Sequence, residues 1–217
     1  MSSKNKKLKV SKIIKPFSIE EIIETKKYAT KNYFKTKIAK TQIIVANSLR
    51  LGDNHIIRLK NKDFGKSKEW PTFTIRRNGE ILRHFDDRNH GSFMKIKEVD
   101  IKSISIVLEN MGWLRKIDDV YYNWINEVCD IESVVEKKWM GYNYWQSYPI
   151  EQIDSLVMLC NFLCEKHNIP KLVIDFHHYH KDIKKYRGVV LKSNHIENST
   201  DSNPLLPLNI IRDGLSN

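Results

Sequence analysis

The sequence lacks the features that define several large classes of protein. No apolar run reaches the roughly 18 residues that a membrane-spanning helix requires, which argues against an integral membrane protein. Glycine and proline are scarce, at 8 and 6 of 217 residues, which excludes collagen-like and linker-dominated chains. The 3 cysteines are irregularly spaced and do not suit a disulfide-rich secreted module. The basic start leads to Pro16 instead of an apolar stretch, so no signal peptide is predicted.

What the sequence does contain is enough apolar material for a folded domain. Hydrophobic residues make up 41% and charged residues 29% of the chain, a mixture that can bury a core and is not typical of disorder. The length of 217 residues fits one domain of ordinary size with an appendage. The sequence therefore predicts a soluble globular protein made in a reducing compartment.

The positive charge is concentrated in the first third of the chain. Residues 1–69 carry a net charge of +12 and the remaining residues −1. We interpret residues 1–17 as a basic flexible arm. Such an arm favours a polyanionic partner, which is nucleic acid, anionic lipid or a cell-envelope polymer. The alternative is a tail that only keeps the protein soluble. The lysines of the arm are Lys4, Lys6, Lys7, Lys9, Lys12 and Lys15.

Hydrophobic patterning predicts an α/β fold with a mixed central β-sheet flanked by helices. Asn78-Gly79 lies between two alternating runs and predicts a type I′ hairpin turn, because both central positions of that turn need positive φ. The predicted strands cover residues 41–47, 70–77, 80–85, 103–109, 172–176 and 188–192.

Two helices are predicted from their start signals. Ser18 followed by acidic residues resembles an N-cap, and a helix continues from it to about residue 32. Pro149 opens a second, longer helix that runs to Lys166. Its apolar face carries Cys160 and Cys164, which we interpret as residues of the core.

Histidines are the first candidates for a chemical site. His177, His178 and His180 follow a predicted strand. If that strand continues, His178 and His180 share a face and can ligate one zinc ion. The alternative is an exposed polar loop. His195 follows another predicted strand, and no phosphate-binding loop, nucleophile elbow, H-E-x-x-H or C-x-x-C motif is present.

Aromatic residues are unusually dense between residues 121 and 148. They can stack on sugar rings, or they can form the core beneath a long connection. The residues concerned are Tyr121, Tyr122, Trp124, Trp139, Tyr142, Tyr144, Trp145 and Tyr148.

The order of these motifs resembles that of the zinc-dependent N-acetylmuramoyl-L-alanine amidases, a family that includes amidase-type phage lysozymes and peptidoglycan-recognition proteins. The resemblance rests on the strand at 41–47, the F-T-I-R-R-N-G-E-I hairpin, the S-I-S-I-V-L strand, and the helix from Tyr148 and Gln152 to Ile169-Pro170.

The resemblance also implies a domain organisation. Residues 41–208 form an amidase-like domain with an aromatic-rich insertion at about 112–148. Residues 18–40 are a helical extension and 209–217 a tail. Long insertions of this kind resemble those of bacteriophage members, which implies a protein of the virion or of the cytoplasm of an infected bacterium.

The resemblance further implies a zinc-dependent mechanism. In the family, zinc held by two imidazoles and a third ligand activates water, which cleaves the bond between N-acetylmuramic acid and L-alanine. The three ligand positions fall on Ala46, His195 and Asn203, of which only His195 is a good zinc ligand. The position of a catalytic lysine falls on Asp201, and Glu109 is a second catalytic candidate.

Three hypotheses follow. In the first, the domain binds peptidoglycan without cleaving it. In the second, a relocated zinc site uses His195 and Asp201 with a histidine of the 177–180 cluster. In the third, the fold serves as a virion or assembly adaptor whose arm binds nucleic acid or an acidic protein. The resemblance requires Ala46, His195 and Asn203 to meet at one point. The candidate rim residues of the peptidoglycan groove are Trp70, His90, Trp145 and Arg187.

Overall fold

A computed structural model describes residues 22–24, 32–62 and 67–216. It contains eleven strands among these residues. They are β1 (Ile22–Glu24), β2 (Gln42–Asn47), β3 (Phe73–Ile75), β4 (Ile81–Arg83), β5 (Ser103–Leu108), β6 (Trp113–Ile117), β7 (Val120–Tyr122), β8 (Val128–Cys129), β9 (Val134–Trp139), β10 (Tyr142–Gln146) and β11 (Gly188–Leu191). The α-helices are α1 (Asn54–Asn61), α2 (Lys97–Lys102), α3 (Ile150–His167), α4 (Lys192–His195) and α5 (Leu208–Ser216).

A mixed sheet with the strand order β1-β4-β3-β5-β2-β11 forms the centre of the fold. Only β3 and β4 pair antiparallel, and the other neighbours are parallel. β2 and β5 are buried along their whole length, as expected for inner parallel strands covered on both faces. The predicted α/β fold with a mixed central sheet is confirmed.

Helices cover both faces of this sheet. Ile81 packs in the main core with α3, whereas its neighbour Leu82 packs with Ile56 and Leu59 of α1. Successive strand residues point to opposite faces, so α3 and α1 lie on opposite sides. Cys160 and Cys164 are free thiols buried on α3, and their predicted place in the core is confirmed.

The β3–β4 hairpin is present, but its turn differs from the predicted type I′ turn. Gly79 has φ +87°, and Asn78 is not among the residues with positive φ. The Gly79 amide donates to the Arg76 carbonyl at 3.0 Å, and the Arg76 amide donates to the Glu80 carbonyl at 2.9 Å. These bonds define a three-residue loop with a left-handed residue at its end, which needs only one positive φ.

The predicted insertion forms a second sheet, with the order β8-β7-β6-β10-β9 and antiparallel pairing throughout. Trp145 is fully buried in it, and its Nε1 donates to the Lys137 carbonyl at 2.8 Å. Tyr121 and Tyr144 pack with ring centroids 5.1 Å apart. Aromatic residues therefore build the core of this sheet, as one of the two interpretations predicted.

Several predicted elements differ from the structure. Residues 22–24 of the predicted N-terminal helix form β1, paired with β4, and the rest of that helix, like the basic arm, lies largely outside the described residues. The strand predicted at 172–176 is a single bridge between Val173 and Val189. The predicted C-terminal tail is α5, whose Gly214 carbonyl accepts a hydrogen bond from Asn161 at 2.9 Å. None of the helices within the described ranges is long and apolar enough to cross a membrane.

Candidate functional site

Two of the three zinc-ligand positions predicted by the resemblance, Ala46 and Asn203, lie around the carboxyl end of β2. The Asn47 amide donates to the Asp201 carbonyl at 2.6 Å. The Tyr148 hydroxyl donates to Asn47 Oδ1 at 2.8 Å and also bonds to the backbone of Asn203. The end of β2 and the Asn203 loop therefore meet at Tyr148, which precedes α3. Ala46 points to the opposite face of the sheet from Asn47, so Asn47 is the residue that joins Asn203.

Neutral amide side chains fill this position. Asn203 is fully buried, and its Nδ2 donates to the Gln146 carbonyl at 2.6 Å and to Asn110 Oδ1 at 3.2 Å. Gln146 Oε1 accepts from the Met111 amide at 2.8 Å. We call Asn47, Asn110, Gln146, Tyr148 and Asn203 the amide cluster. Because β10 supplies Gln146, the second sheet contacts the loop that carries Asn203.

The amide cluster does not fit a zinc ion. Zinc in proteins is held by thiolate, imidazole or carboxylate, and the cluster offers only amides and a phenol. Burial raises the pKa of the Tyr148 hydroxyl far above its ordinary value, so the phenol stays protonated. Within the amide cluster, the buried polar atom without a hydrogen-bond partner is Asn47 Nδ2. An amide nitrogen donates hydrogen bonds and does not ligate zinc. Across the described residues, no group of three or more His, Cys, Asp or Glu side chains could hold a metal.

His195 does not join the cluster, so the predicted meeting of Ala46, His195 and Asn203 is wrong. The four-residue helix α4 turns the chain after β11, and His195 Nε2 lies 3.1 Å from Gln42 Oε1. Gln42 begins β2, four residues before Ala46, which corresponds to about 13 Å along a strand. Burial lowers the pKa of His195 to about 4, so its ring is neutral at pH 7.

The two catalytic candidates have partners within the protein. The Asp201 carboxylate pairs with the Lys192 ammonium at 2.5 Å, directly after β11. A Glu109 carboxylate oxygen accepts a hydrogen bond from the Gly52 amide, and its carbonyl accepts one from Gln152 Nε2 at 3.0 Å. The structure therefore places Asp201 in an ion pair and Glu109 in a strand-end bonding network.

His178 and His180 are exposed, and both rings lie near the ring of Phe176. The ring centroids are 4.5 Å apart for His178 and 5.9 Å apart for His180. They lie in a loop, whereas the predicted zinc pair required the preceding strand to continue through them. The exposed-loop alternative describes them correctly.

The predicted groove residues are dispersed. Trp70 and Trp145 are 0% exposed and cannot line a groove, which corrects that prediction. His90 is half-buried and stacks on Phe34 with centroids 5.3 Å apart, and Arg187 is exposed.

Two buried imidazoles, whose burial was not predicted from the sequence, lie on the α1 side of the sheet. His55 of α1 has no hydrogen-bond partner for either ring nitrogen, whereas His84 Nε2 lies 2.9 Å from Thr74 Oγ1. Burial lowers the pKa of each ring to about 3. Nearby cations, including Lys192, lower the pKa of His55 further. Both rings are therefore neutral at pH 7 and add no charge to the α1 side of the sheet.

A cavity of about 240 Å³ lies near the loop that carries Asn203. Three segments line it: the β9–β10 turn with Trp139, the loop with His177 and Tyr179, and the segment after β11 with Ser193 and Glu197. The Ser193 amide donates to Ser202 Oγ at 3.4 Å, which places the cavity next to Asn203 in the chain. Two sequence features pointed to this cavity, namely the aromatic density near residue 139 and the histidine cluster at 177–180. They were treated as unrelated, and their meeting was not predicted from the sequence.

Comparisons with known proteins identify the class of fold. Neither a scan against protein-family models nor a search of curated protein sequences found a match. Among solved structures, the N-acetylmuramoyl-L-alanine amidase LysC from Clostridium intestinale URNW has a TM-score of 0.56 and 14% identity, covering 90% of this chain and 97% of its own. AmpD has a TM-score of 0.53 and 13% identity, covering 91% and 96%. The amidase AmiD from E. coli, in complex with anhydro-N-acetylmuramic acid-L-Ala-D-gamma-Glu-L-Lys, has a TM-score of 0.51 and 15% identity, covering 83% and 60%.

These likenesses show the fold. The chain has the mixed α/β fold of the N-acetylmuramoyl-L-alanine amidases, with a second sheet built from residues 113–146. The fold expected from the motif resemblance is therefore confirmed.

Proposed function

We propose that this chain is a peptidoglycan-recognition domain that retains the amidase fold and does not hydrolyse its ligand through zinc. The amide cluster is the observation that carries the proposal. Asn203, at one of the three expected ligand positions, bonds to Gln146, and Asn47, next to the expected position Ala46, bonds to Tyr148. A neutral amide oxygen is a poor ligand for zinc, and these amides are already engaged in structural bonds.

The fold supports the recognition part of the proposal. AmiD, which shares the fold, was solved with a muropeptide fragment bound. In this chain the cavity near the Asn203 loop combines aromatic and polar side chains, an arrangement typical of small-molecule sites. LysCS from C. intestinale URNW, also of this fold, is an endolysin amidase, which supports a bacteriophage origin as part of the proposal.

Purified sacculi test the proposal directly. We expect the full chain to co-sediment with sacculi and to release no free L-alanine amino termini, with or without a chelator. A zinc amidase acting on the same sacculi serves as the positive control. Release of amino termini that a chelator abolishes would show a zinc hydrolase and overturn the proposal, as would the absence of co-sedimentation.

Metal analysis provides an independent check. We expect the purified chain to contain far less than one zinc per molecule after dialysis, because the amide cluster offers no anionic or imidazole ligand. The thermal unfolding temperature should be the same with and without a chelator. One zinc ion per molecule after dialysis would contradict the conclusion that the amide cluster does not bind zinc.

A further inference from the structure

A loop of residues 34–39 is anchored at both ends to the same segment of the chain. The Phe34 amide donates to the His90 carbonyl at 2.8 Å, and the His90 amide donates to the Phe34 carbonyl at 3.1 Å. At the other end, the ammonium of the buried Lys40 donates to the Asn89 carbonyl at 2.8 Å and to the Ile101 carbonyl at 3.1 Å. The loop backbone is therefore held in place against residues 89–90.

Two apolar side chains of this loop are exposed to solvent. Tyr33, directly before the loop, packs against Phe85 on the α1 side of the sheet, with ring centroids 5.5 Å apart. Successive residues of an extended segment point in opposite directions, so Phe34 points outwards and is 41% exposed. Ile38 is 52% exposed. The anchored loop thus presents an aromatic and an aliphatic side chain to water.

Lysines surround these two side chains. Lys35 and Lys37 belong to the same loop and are exposed. The Lys68 ammonium lies over the Phe34 ring, 3.8 Å from its centroid. Exposed apolar groups within a polar rim mark interaction sites on protein surfaces. We call the following residues the loop surface: Phe34, Lys35, Lys37, Ile38, Lys62, Lys68 and Lys95.

The loop surface has an excess of positive charge. One carboxylate, that of Glu69, pairs with both Lys62 at 2.5 Å and Lys95 at 3.1 Å. Within the described part of the chain, the other three lysines of the surface form no salt bridge. Burial and the nearby ammonium groups of Lys40 and Lys68 lower the pKa of His90. The surface therefore suits a partner that carries several negative charges.

The apolar side chains narrow the class of that partner. Lysines are attracted by the negative potential of an anionic lipid bilayer, and apolar side chains are stabilised at the boundary between its head groups and acyl chains. A polyanion without an apolar layer, such as duplex DNA, would contact the lysines and leave Phe34 and Ile38 in water. A nucleobase would also compete with His90, which already stacks on Phe34 with centroids 5.3 Å apart.

We propose that the loop surface docks this chain on anionic phospholipid bilayers, with Phe34 and Ile38 entering the head-group boundary and the surrounding lysines contacting lipid phosphates. The binding is peripheral, at the surface of the bilayer. It goes beyond the proposed function, because it concerns a different part of the chain and a different partner.

Co-sedimentation of the full chain with vesicles tests the role of charge. We expect tighter binding to mixed phosphatidylglycerol and phosphatidylcholine vesicles than to phosphatidylcholine alone. The double variant Lys35→Gln/Lys37→Gln should bind the anionic vesicles roughly tenfold more weakly at low ionic strength. The matched control is Lys138→Gln/Lys181→Gln, which removes the same charge at two exposed lysines outside the loop surface. It should lose less than about threefold, because salt screens distant charges.

An environment-sensitive dye tests insertion into the bilayer. The dye is attached to Ile38→Cys or, as a matched control, to Ile131→Cys, where the native side chain is 64% exposed. The three native cysteines are buried and should label slowly. We expect a blue shift on anionic vesicles for the label at position 38 and none at position 131. This readout separates the loop surface from residues 1–15, whose lysines can attract vesicles without inserting residue 38.

Equal vesicle binding by the two double variants would overturn the proposal, as would equal dye responses at positions 38 and 131. Binding to duplex DNA that depends on Lys35 and Lys37, without a blue shift on vesicles, would show a nucleic-acid surface instead. Lipid-free sacculi distinguish this failure from failure of the proposed function. If the chain binds sacculi but not vesicles, the lipid proposal is wrong and the proposed function stands. The reverse result leaves the lipid proposal and overturns the proposed function.

Discussion

Asn203 lies where the motif resemblance expects the third zinc ligand, and its side chain makes structural hydrogen bonds instead. It donates to the Gln146 carbonyl and to Asn110 Oδ1, at 2.6 and 3.2 Å, with all three residues buried. A carboxylate or thiolate at this position would present a charge to two oxygen acceptors. The choice of an amide is therefore explained by the surrounding hydrogen bonds and not by metal binding.

Replacing Asn203 by alanine should destabilise the fold. The variant removes one of two donors to Asn110 Oδ1 and one of two donors to the Gln146 carbonyl. It also leaves the Leu205 amide without the Asn203 Oδ1 acceptor, and the combined cost is about 1–3 kcal/mol. Urea unfolding followed by circular dichroism measures the change. Asn209→Ala, an exposed asparagine of α5, is the matched control and should change stability by less than about 0.5 kcal/mol. Equal effects of the two substitutions would contradict the structural role of Asn203.

His55 should make the fold sensitive to acid. Its pKa is lowered from 6.5 to about 3 by burial and neighbouring cations. Above pH 6.5 the ring is neutral in both the folded and the unfolded chain. As the pH falls towards 3, the unfolded chain binds a proton that the folded chain excludes, so stability decreases. His84 acts in the same direction. Burial raises the pKa of Asp100 from 3.8 to about 6. As the pH falls from 6 to 3.8, the folded chain binds a proton at Asp100 that the unfolded chain does not, so Asp100 increases stability and opposes the two histidines.

The variant His55→Leu isolates this effect. At pH 8 its stability should be equal to or above that of the wild type, because the wild-type ring has no hydrogen-bond partner for either nitrogen. At pH 4 the variant should be more stable than the wild type by an amount on the order of 2 kcal/mol. Urea unfolding at both pH values measures the difference. The same difference at pH 8 and pH 4 would show that His55 does not titrate as described.

At the scale of elements, the β3–β4 hairpin is held against α3 by the absence of a side chain at Gly79. A Cβ there would lie 2.8 Å from Ser155 Oγ and 2.9 Å from the Glu151 carbonyl oxygen. The positive φ of +87° adds a second requirement for glycine. The hairpin turn and the first turns of α3 are therefore packed backbone to backbone.

Gly79→Ala should destabilise the protein more than Gly141→Ala. Gly141, in the β9–β10 turn, has a similar φ of +82° but open space around it. Both variants incur the cost of a left-handed alanine, which is about 1 kcal/mol. Only Gly79→Ala also displaces α3, so we expect it to lose at least about 1 kcal/mol more. Thermal and urea unfolding of the two variants measures this difference. Equal losses in the free energy of unfolding would show that α3 can shift away from residue 79 without a loss of stability.

Elements with a clear period or turn signal could be predicted from the sequence, and the others could not. The buried strands β2 and β5, the Asn78-Gly79 hairpin and helix α3 all have strong local signals. The second sheet was missed because β9 is mostly exposed, so it lacks the alternation of a half-buried strand. His195 was misplaced because it closely follows the last predicted strand, whereas the short helix α4 turns it back towards Gln42.

At the scale of the whole molecule, the charge of residues 1–69 predicts salt-dependent binding to anionic cell envelopes. Residues 1–15 carry six lysines. Removing them should weaken co-sedimentation with anionic sacculi at low ionic strength and leave binding at high ionic strength unchanged, because salt screens exposed charges. Binding isotherms at several salt concentrations measure the slope. An unchanged slope in the truncated chain would identify residues 1–15 as a solubility tail.

The strand order places the two ends of the central sheet far apart. β1 is one edge strand and β11 the other, and five inter-strand spacings correspond to about 24 Å. Residues 1–15 precede β1, whereas the cavity is lined by the segment that follows β11. If residues 1–15 and the cavity both contact one polymer, the combined binding will be tighter than either contact alone, because the second contact forms at high local concentration.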